Sequence, residues 1–270
     1  MKNKIGKVIL AGAGPGDPEL ISIKAARALR SADIVLTDRL VSADLLNEHV
    51  PPQAEIIYIG KQGRHKLSTP QGTINRLLVD YARAGKQVVR LKGGDVSIFS
   101  NILDELQTLC EQGIPYEIIP GISAASGAAA YAGIPLTARN YARSVRFITA
   151  HTHEVLSDDY WKELAGTDDT LVFYMSTENI DNVVHHLKLH GISSDRFIAV
   201  VEQATTRAQN VYVSNIYTCL EEFEHISFNA PSLLIIGKVV ALHEQFAWIR
   251  NSYSNEQYFE PLDQYKKQVV

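Results

Sequence analysis

The stretch LAGAGPGDPEL, Leu10–Leu20, follows the short apolar run Lys7–Ala11 and precedes ISIKAARALRSAD. Strand, glycine turn and helix in that order open a doubly wound α/β fold, where ligands sit outside the carboxyl ends of the strands. The glycines stand at 12, 14 and 16. They miss the dinucleotide spacing G-x-G-x-x-G, because the third comes one residue early with Pro15 and Pro18 beside it. Asp17-Pro18-Glu19 reads as N-cap, proline at N1 and an acidic first turn, so the predicted helix starts late and runs over Glu19–Arg30. Asp38 lies about 22 residues beyond Gly16, near the usual place of a ribose-binding acid. Three readings stay open on these residues: a ligand turn of another kind, a variant dinucleotide turn, or a turn that only reverses the chain.

Outward from this stretch, apolar runs alternate with helical patterns. Strands are predicted at Val8–Ala11, Asp33–Thr37, Ile56–Ile59, Gln87–Leu91 and Tyr116–Ile119, and further helices at Pro70–Ala84, Ile98–Gln112 and Ser123–Ala132. Interleaving of this kind predicts a mostly parallel sheet. After the polar segment GIPLTARNYARS, Gly133–Ser144, the texture changes. SVRFITA, TLVFYM, FIAVVE, QNVYVS and SLLIIG read as strands, and Asp158–Leu164, Asn179–His190 and Leu242–Ile249 as helices. QNVYVS alternates and follows FIAVVE after only a short loop, which predicts antiparallel pairing. The reading is two α/β domains, 1–136 with a mostly parallel sheet and 137–250 with a mixed one, followed by a weakly patterned tail, 251–270.

Composition narrows the function. The chain has 270 residues, 46% hydrophobic and 21% charged, with a net charge of −4. No global positive field points to nucleic acid, so an anionic ligand must meet a local basic patch. Two cysteines, with no CxxC pair, suggest a reducing compartment. No metal-ligand spacing stands out. The apolar run after Lys2, Lys4 and Lys7 is cut at Gly12, too short for a signal-peptide core, and no stretch is long enough to span a bilayer. The expected protein is cytoplasmic, with no nucleic-acid or membrane partner.

Two more turns fall at strand ends. Gly93-Gly94-Asp95 follows the strand VVRLK, and PGISAASGAAAYAGIPLT, Pro120–Thr137, packs small residues where a helix begins. Each on its own is read as a tight turn or a closely packed helix. Taken in order with VILAGAGPGDPELISIKAARALRSADIVLTDRLVS, the GK…H…PQ…IN block, VVRLKGGD, LVFYM and APSLLIIGKVV, they resemble the uroporphyrinogen-III C-methyltransferases of the tetrapyrrole methylase superfamily, from about Lys7 to Val240.

The resemblance implies two α/β domains with S-adenosylmethionine in the cleft between them, and a homodimer. It implies methylation of uroporphyrinogen III at C2 and C7 to precorrin-2, leaving S-adenosylhomocysteine. Cofactor contacts carry over to Pro15, Gly93, Gly94, Asp95, Ile98, Ser123, Ala124, Met175 and Ala204, the last in place of a glycine. Asp38 carries over as proton acceptor and Lys61 as proton donor. A substrate with eight carboxylates calls for arginines, which bind carboxylate through two parallel hydrogen bonds. Arg39, Arg64, Arg139 and Arg143 are the candidates, with Lys61, His65, Lys66 and Arg146 near them in sequence. The chain departs from the family pattern at Gln62, Val96–Asp104, Ala138 and Ala150, mostly on the substrate side. Methylation of another tetrapyrrole is therefore the alternative, with a non-catalytic or NAD-binding protein as a second. No stretch resembles an oxidase–chelatase domain, so a methyltransferase alone is expected rather than a bifunctional sirohaem synthase.

Overall fold

A computed structural model describes residues 5–59, 69–150, 156–253 and 256–259. The contacts divide the chain into two units. The first contains β1 (Lys7–Gly12), α1 (Ile23–Arg30), β2 (Ile34–Thr37), α2 (Ala43–His49), β3 (Glu55–Tyr58), α3 (Gln71–Arg83), β4 (Gln87–Lys92), α4 (Leu103–Glu111) and β5 (Tyr116–Ile119). All five strands are parallel, in the order β3-β2-β4-β1-β5. β1, β2 and β4 are buried almost throughout because both faces of the sheet are covered. On one face Ala25, Leu29, Leu45 and Leu46 of α1 and α2 meet Ile9, Val35, Val89 and Leu91. On the other, Ile74, Leu78 and Leu109 of α3 and α4 meet Val8, Leu10, Leu36 and Val88. β1 feeds a helix on the first face and its neighbour β4 a helix on the second, so the topological switch point lies between them.

Local chemistry moves two helix starts from where the pattern puts them. Asp17 does cap, its side chain accepting from Glu19 N–H at 2.9 Å, but the turn it opens is a single 3₁₀ turn, Pro18–Leu20. Ile21 and Ser22 are extended, and Ser22 Oγ caps α1 by accepting from Ala25 N–H at 3.2 Å. The helix predicted from Ile98 begins only at Leu103, because Phe99 and Asn101 take φ of 47° and 51°, which an α-helix excludes. α2, capped by Ser42 in the same manner as α1, is an element beyond those read from the pattern.

The second unit, Ala125–Tyr258, takes in α5 (Ala124–Tyr131), β6 (Val145–Thr149), α6 (Asp158–Gly166), β7 (Thr170–Tyr174), α7 (Ile180–Leu189), β8 (Phe197–Glu202), β9 (Asn210–Asn215), α8 (Cys219–Glu222), β10 (Ser232–Gly237) and α9 (His243–Phe246). Its sheet runs β6-β7-β10-β8-β9; β6 and β7 are parallel and the remaining pairs antiparallel, β8 with β9 as predicted. Trp161 of α6 stacks on Phe173 of β7 in a core shared with Val183, Leu187, Ile198, Val200 and Leu234.

The division falls at Ala124–Ala125, earlier than the boundary read at 136–137. α5 and the turn after it are held within the second unit: Ala125 N–H donates to the Tyr174 hydroxyl at 3.1 Å, the Trp248 indole to Ala130 O at 2.9 Å and the His243 ring to Ala132 O. The helix predicted over Leu242–Ile249 stops at Phe246, with Ala247 extended. Of the segment read as a tail, the described residues up to Tyr258 are tied to β9 and to the turn before it and belong to the second unit, while Phe259 falls with the first. Among the described residues no helix is long and apolar enough to cross a membrane.

Candidate active site

The three small-residue turns meet at the carboxyl ends of β1, β4 and β5. Gly14 and Gly94 form a two-way backbone bridge, with N–H to O distances of 3.1 and 2.7 Å. A Cβ on Gly12 would lie 2.6 Å from Gly94 O and 2.7 Å from Gly121 Cα, and one on Gly121 would strike Gly94 O more closely still. Main chain packs on main chain here, which only glycine permits. Gly14 also needs its freedom for a φ of +82°. The opening turn is thus closed by the bridge at the switch point, where a dinucleotide fold would leave its backbone amides for a pyrophosphate. Pro15 follows, buried.

Asp95 ties the second turn to the third. Its Oδ1 accepts the Ser97 N–H at 2.8 Å and the Ser97 hydroxyl, and its Oδ2 accepts the Gly121 N–H at 2.8 Å. Burial alone would raise its pKa, but these donors outweigh it and hold the carboxyl below its ordinary value. Both oxygens therefore have partners inside the protein. Gly93 and Gly94 keep partly exposed backbone, and a Cβ on Gly94 would meet only Ala124 N, at 3.5 Å. Ile98, Ser123 and Ala124 are half-buried, and Phe99 is exposed in its left-handed conformation.

Asp38 is half-buried just past β2, with Oδ1 accepting the Leu40 N–H at 3.0 Å. Thr37 registers with Leu91, so Asp38 comes beside Lys92 at the end of β4. Here lies a charge cluster that the sequence reading passed over. Buried Arg90 and Lys92 both reach Glu105 Oε1, at 3.1 and 3.2 Å, and Glu105 is 1% exposed with Oε2 unpartnered. Burial, then the like charge of Arg90, push the Lys92 pKa down, while Glu105 and Asp38 act the other way. The signal was present in VVRLK: two cations at i and i+2 share one face of a strand that is otherwise apolar. Arg39 is half-buried beside Asp38. Lys61, Arg64, His65 and Lys66 lie outside the described residues.

In the second unit the matching strand ends carry Met175 and Ala204. Met175 has φ 55° and is 53% exposed, while the next residue, Ser176, is buried and joins β6 to β7 by accepting from Ala150 N–H at 3.1 Å and donating to Tyr174 O at 2.8 Å. A left-handed, exposed methionine pinned by a buried hydroxyl is the kind of strain that collects at functional sites. Ala204 is buried between Gln203 and Thr205, whose φ values are 43° and 68°. It is not itself among the left-handed residues, which is why alanine is tolerated there. Arg139 and Arg143 are exposed around the turn Ala138–Ala142. Arg146 is engaged elsewhere, paired with Asp169 at 2.6 Å and Glu163 at 2.5 Å. Among the described residues no group of His, Cys, Asp or Glu is arranged to hold a metal ion.

The family model for tetrapyrrole (corrin/porphyrin) methylases matches residues 7–219. A siroheme synthase of Acinetobacter baylyi is 48% identical over 244 residues, 90% of this chain and 53% of that protein. One of Pseudomonas putida is 45% identical over 251 residues, 93% and 54%. The chain spans about half the length of these curated relatives. Among solved structures, uroporphyrin-III C-methyltransferase from Thermus thermophilus superposes with a TM-score of 0.75 at 31% identity, covering 92% of this chain and 99% of that one. A crystal of that enzyme complexed with S-adenosylhomocysteine gives 0.73 at 32%, covering 87% and 93%. Cobalt precorrin-4 methyltransferase gives 0.77 at 27%, covering 87% and 95%.

Three outcomes follow from this geometry. Gly121→Ala, which drives a Cβ into Gly94 O, is expected to destabilise the first unit by about 3 kcal/mol or more, whereas Gly72→Ala in the open first turn of α3 changes little or stabilises; thermal unfolding measures both. Glu105→Leu leaves Arg90 and Lys92 buried without their counter-charge and is expected to cost about 3–5 kcal/mol in denaturant titration. The Asp95 carboxyl has its pKa depressed by folding, so its contribution is present above the unfolded pKa of about 4 and is lost as pH falls through the folded value. Asp95→Asn is therefore expected to flatten the acid limb of the stability profile; an unchanged slope there would exclude the tie to Gly121 as a source of stability.

Proposed function

The chain belongs to the tetrapyrrole methylase family, and from that premise we propose that it transfers methyl groups from S-adenosylmethionine to ring carbons of uroporphyrinogen III, at C2 and C7, to give precorrin-2. The observation that carries this reading is the match to uroporphyrin-III C-methyltransferase over nearly the whole of both chains, together with siroheme synthases 45–48% identical. The finer identity of the substrate, the two positions and a cytoplasmic homodimer are part of the proposal.

The residues present suit the methyl donor. Gly93 and Gly94 expose main chain; a Cβ on Gly93 would press on Leu40 at 2.8 Å and one on Gly94 would meet only Ala124 N at 3.5 Å, which fits a zwitterion that approaches Gly94 for backbone hydrogen bonds. Met175 and Ala204 present an apolar side chain and a small one at their strand ends, as an adenosine contact requires. Pro15, Ile98, Ser123 and Ala124 complete the set, and Asp95 acts by holding two of the turns together. When bound, S-adenosylmethionine supplies a methyl group already activated by its sulfonium charge. The protein's share is then alignment, exclusion of water and removal of one proton. Asp38 accepts the proton that the macrocycle, left cationic when the new carbon–carbon bond forms at a fully substituted ring carbon, gives up from another position. Its orientation is set by the Leu40 amide. Lys61 is the proposed donor. Arg39, Arg64, Arg139 and Arg143 are the proposed anchors for substrate carboxylates, and Arg146, committed to Asp169 and Glu163, is left out.

A second reading, another tetrapyrrole as substrate, is favoured by the altered stretch Val96–Asp104 and by the similarity in fold to cobalt precorrin-4 methyltransferase. Anaerobic incubation with uroporphyrinogen III and S-adenosylmethionine is expected to give a doubly methylated product by mass spectrometry. Binding of S-adenosylhomocysteine without any methylated product would shift the assignment to the second reading. Asp38→Ala is expected to lower kcat by about 10²-fold or more while leaving S-adenosylhomocysteine affinity within twofold; unchanged turnover removes Asp38 as the base.

A further inference from the structure

The turn Gln203–Gln209, which connects β8 to β9 and contains Ala204, is held in a demanding conformation. Gln203 and Thr205 are both left-handed and buried. Such residues persist only where their surroundings over-determine them. Inside the turn, the Thr205 N–H donates to Gln209 Oε1 at 2.7 Å and the Thr206 hydroxyl to Gln203 O at 2.7 Å. The Gln203 N–H donates to Pro231 O at 2.7 Å, and further support comes from the C-terminal segment. Gln203, 0% exposed, accepts the Tyr258 N–H at 2.7 Å and donates to Glu256 O at 2.9 Å. Arg207 pairs with Glu256 at 2.8 Å and lies over the Tyr258 ring, 5.0 Å from its centroid.

The same segment is anchored on β9 as an added strand would be. Val211 N–H donates to Asn251 Oδ1 at 2.8 Å, and Asn251 Nδ2 donates to Val211 O at 2.9 Å. The Tyr253 N–H reaches Asn210 Oδ1 at 2.9 Å, and the Ser252 N–H reaches Gln209 O at 3.2 Å. A polar side-chain amide mimicking the peptide group at a strand edge gives fixed register without apolar area, which is why the segment's sequence carries no hydrophobic period.

We infer that the described C-terminal residues Asn251–Tyr253 and Glu256–Tyr258 act as a strap that sets the shape of the Gln203–Gln209 turn, and that Gln203 is the positioning residue through which they place Ala204 for the methyl donor. The inference rests on the reading of Ala204 as a cofactor contact. Gln203 touches neither substrate; it transmits the position of the strap to the turn.

The test uses the full chain with Gln203→Met and Asn251→Ala, the second altered only at the strap's anchor. Amide hydrogen exchange over 203–209, S-adenosylhomocysteine affinity by calorimetry and separate KM values are measured. Exchange is expected to quicken. The Kd for S-adenosylhomocysteine and KM for S-adenosylmethionine are expected to rise about tenfold, the worth of one or two hydrogen bonds, while KM for the tetrapyrrole stays within twofold. Quickened exchange with unaltered affinity would overturn the positioning role, and unaltered exchange would overturn the strap. If the unaltered chain binds no S-adenosylhomocysteine, it is the cofactor reading that fails, and the exchange data still decide whether the strap holds the turn. Should either variant fail to fold, Arg207→Ala removes the exposed contacts with Glu256 and Tyr258; a two- to threefold loss of affinity is then expected, and no loss counts against the proposal.

Discussion

The first unit depends on the contact of main chain with main chain at Gly12, Gly94 and Gly121. Three loops leave three parallel strands and must converge within the width of a peptide group, with the Gly14–Gly94 bridge joining two of them and the Asp95 carboxylate joining the second to the third. No side chain fits among them, so the loops behave as one rigid rim. Everything that faces that rim inherits its position: Asp38 at the end of β2, Lys92 at the end of β4, and the exposed backbone of Gly93 and Gly94. A ligand that binds there meets preorganised amides, and the cost of ordering the loops has been met in folding.

The second unit solves the same problem with other means. Its strand ends carry left-handed residues that are not glycine, at Met175, Gln203 and Thr205. Each is held by buried polar groups: Ser176 below Met175, and Gln209 with the C-terminal segment around Gln203 and Thr205. Strain of this kind requires support from a distance in sequence, and some of it comes from residues some fifty positions away. Glu202, wholly buried one residue earlier, shows the same economy. Burial raises its pKa, with the Asn229 and Asn210 amides working against that rise.

Much of the candidate site was legible because its signals are local. Glycines at strand ends, a proline pair that delays a helix and a carboxylate after an apolar run each declare a turn with a ligand-facing side. The family resemblance then assigned them roles. What escaped reading was set by pairings across the fold. Arg90 and Lys92 drew no reading of their own, and it is the fold that brings both to Glu105, on a helix thirteen or fifteen residues on. Arg146, near the candidate anchors in sequence, is held by Asp169 and Glu163. Asp95 looked like a ligand's partner, and its oxygens turned out to bind the Ser97 and Gly121 donors.

By itself the sequence determined the strand and helix order, the parallel character of the first sheet and the antiparallel β8–β9 pairing, since these follow from periodicity and loop length. It also marked the glycine turns at the strand ends. Tertiary structure alone decided why those glycines are required, because close backbone approach depends on loops far apart in the chain. It decided that the helices after Gly16 and Asp95 begin late, where Ser22 caps and where left-handed Phe99 and Asn101 forbid helix. It placed α5 with the second unit, through the hydroxyl of Tyr174 and the indole of Trp248. And it turned an unpatterned C-terminal stretch into a strap, because side-chain amides can hold a strand edge without leaving any hydrophobic period to read.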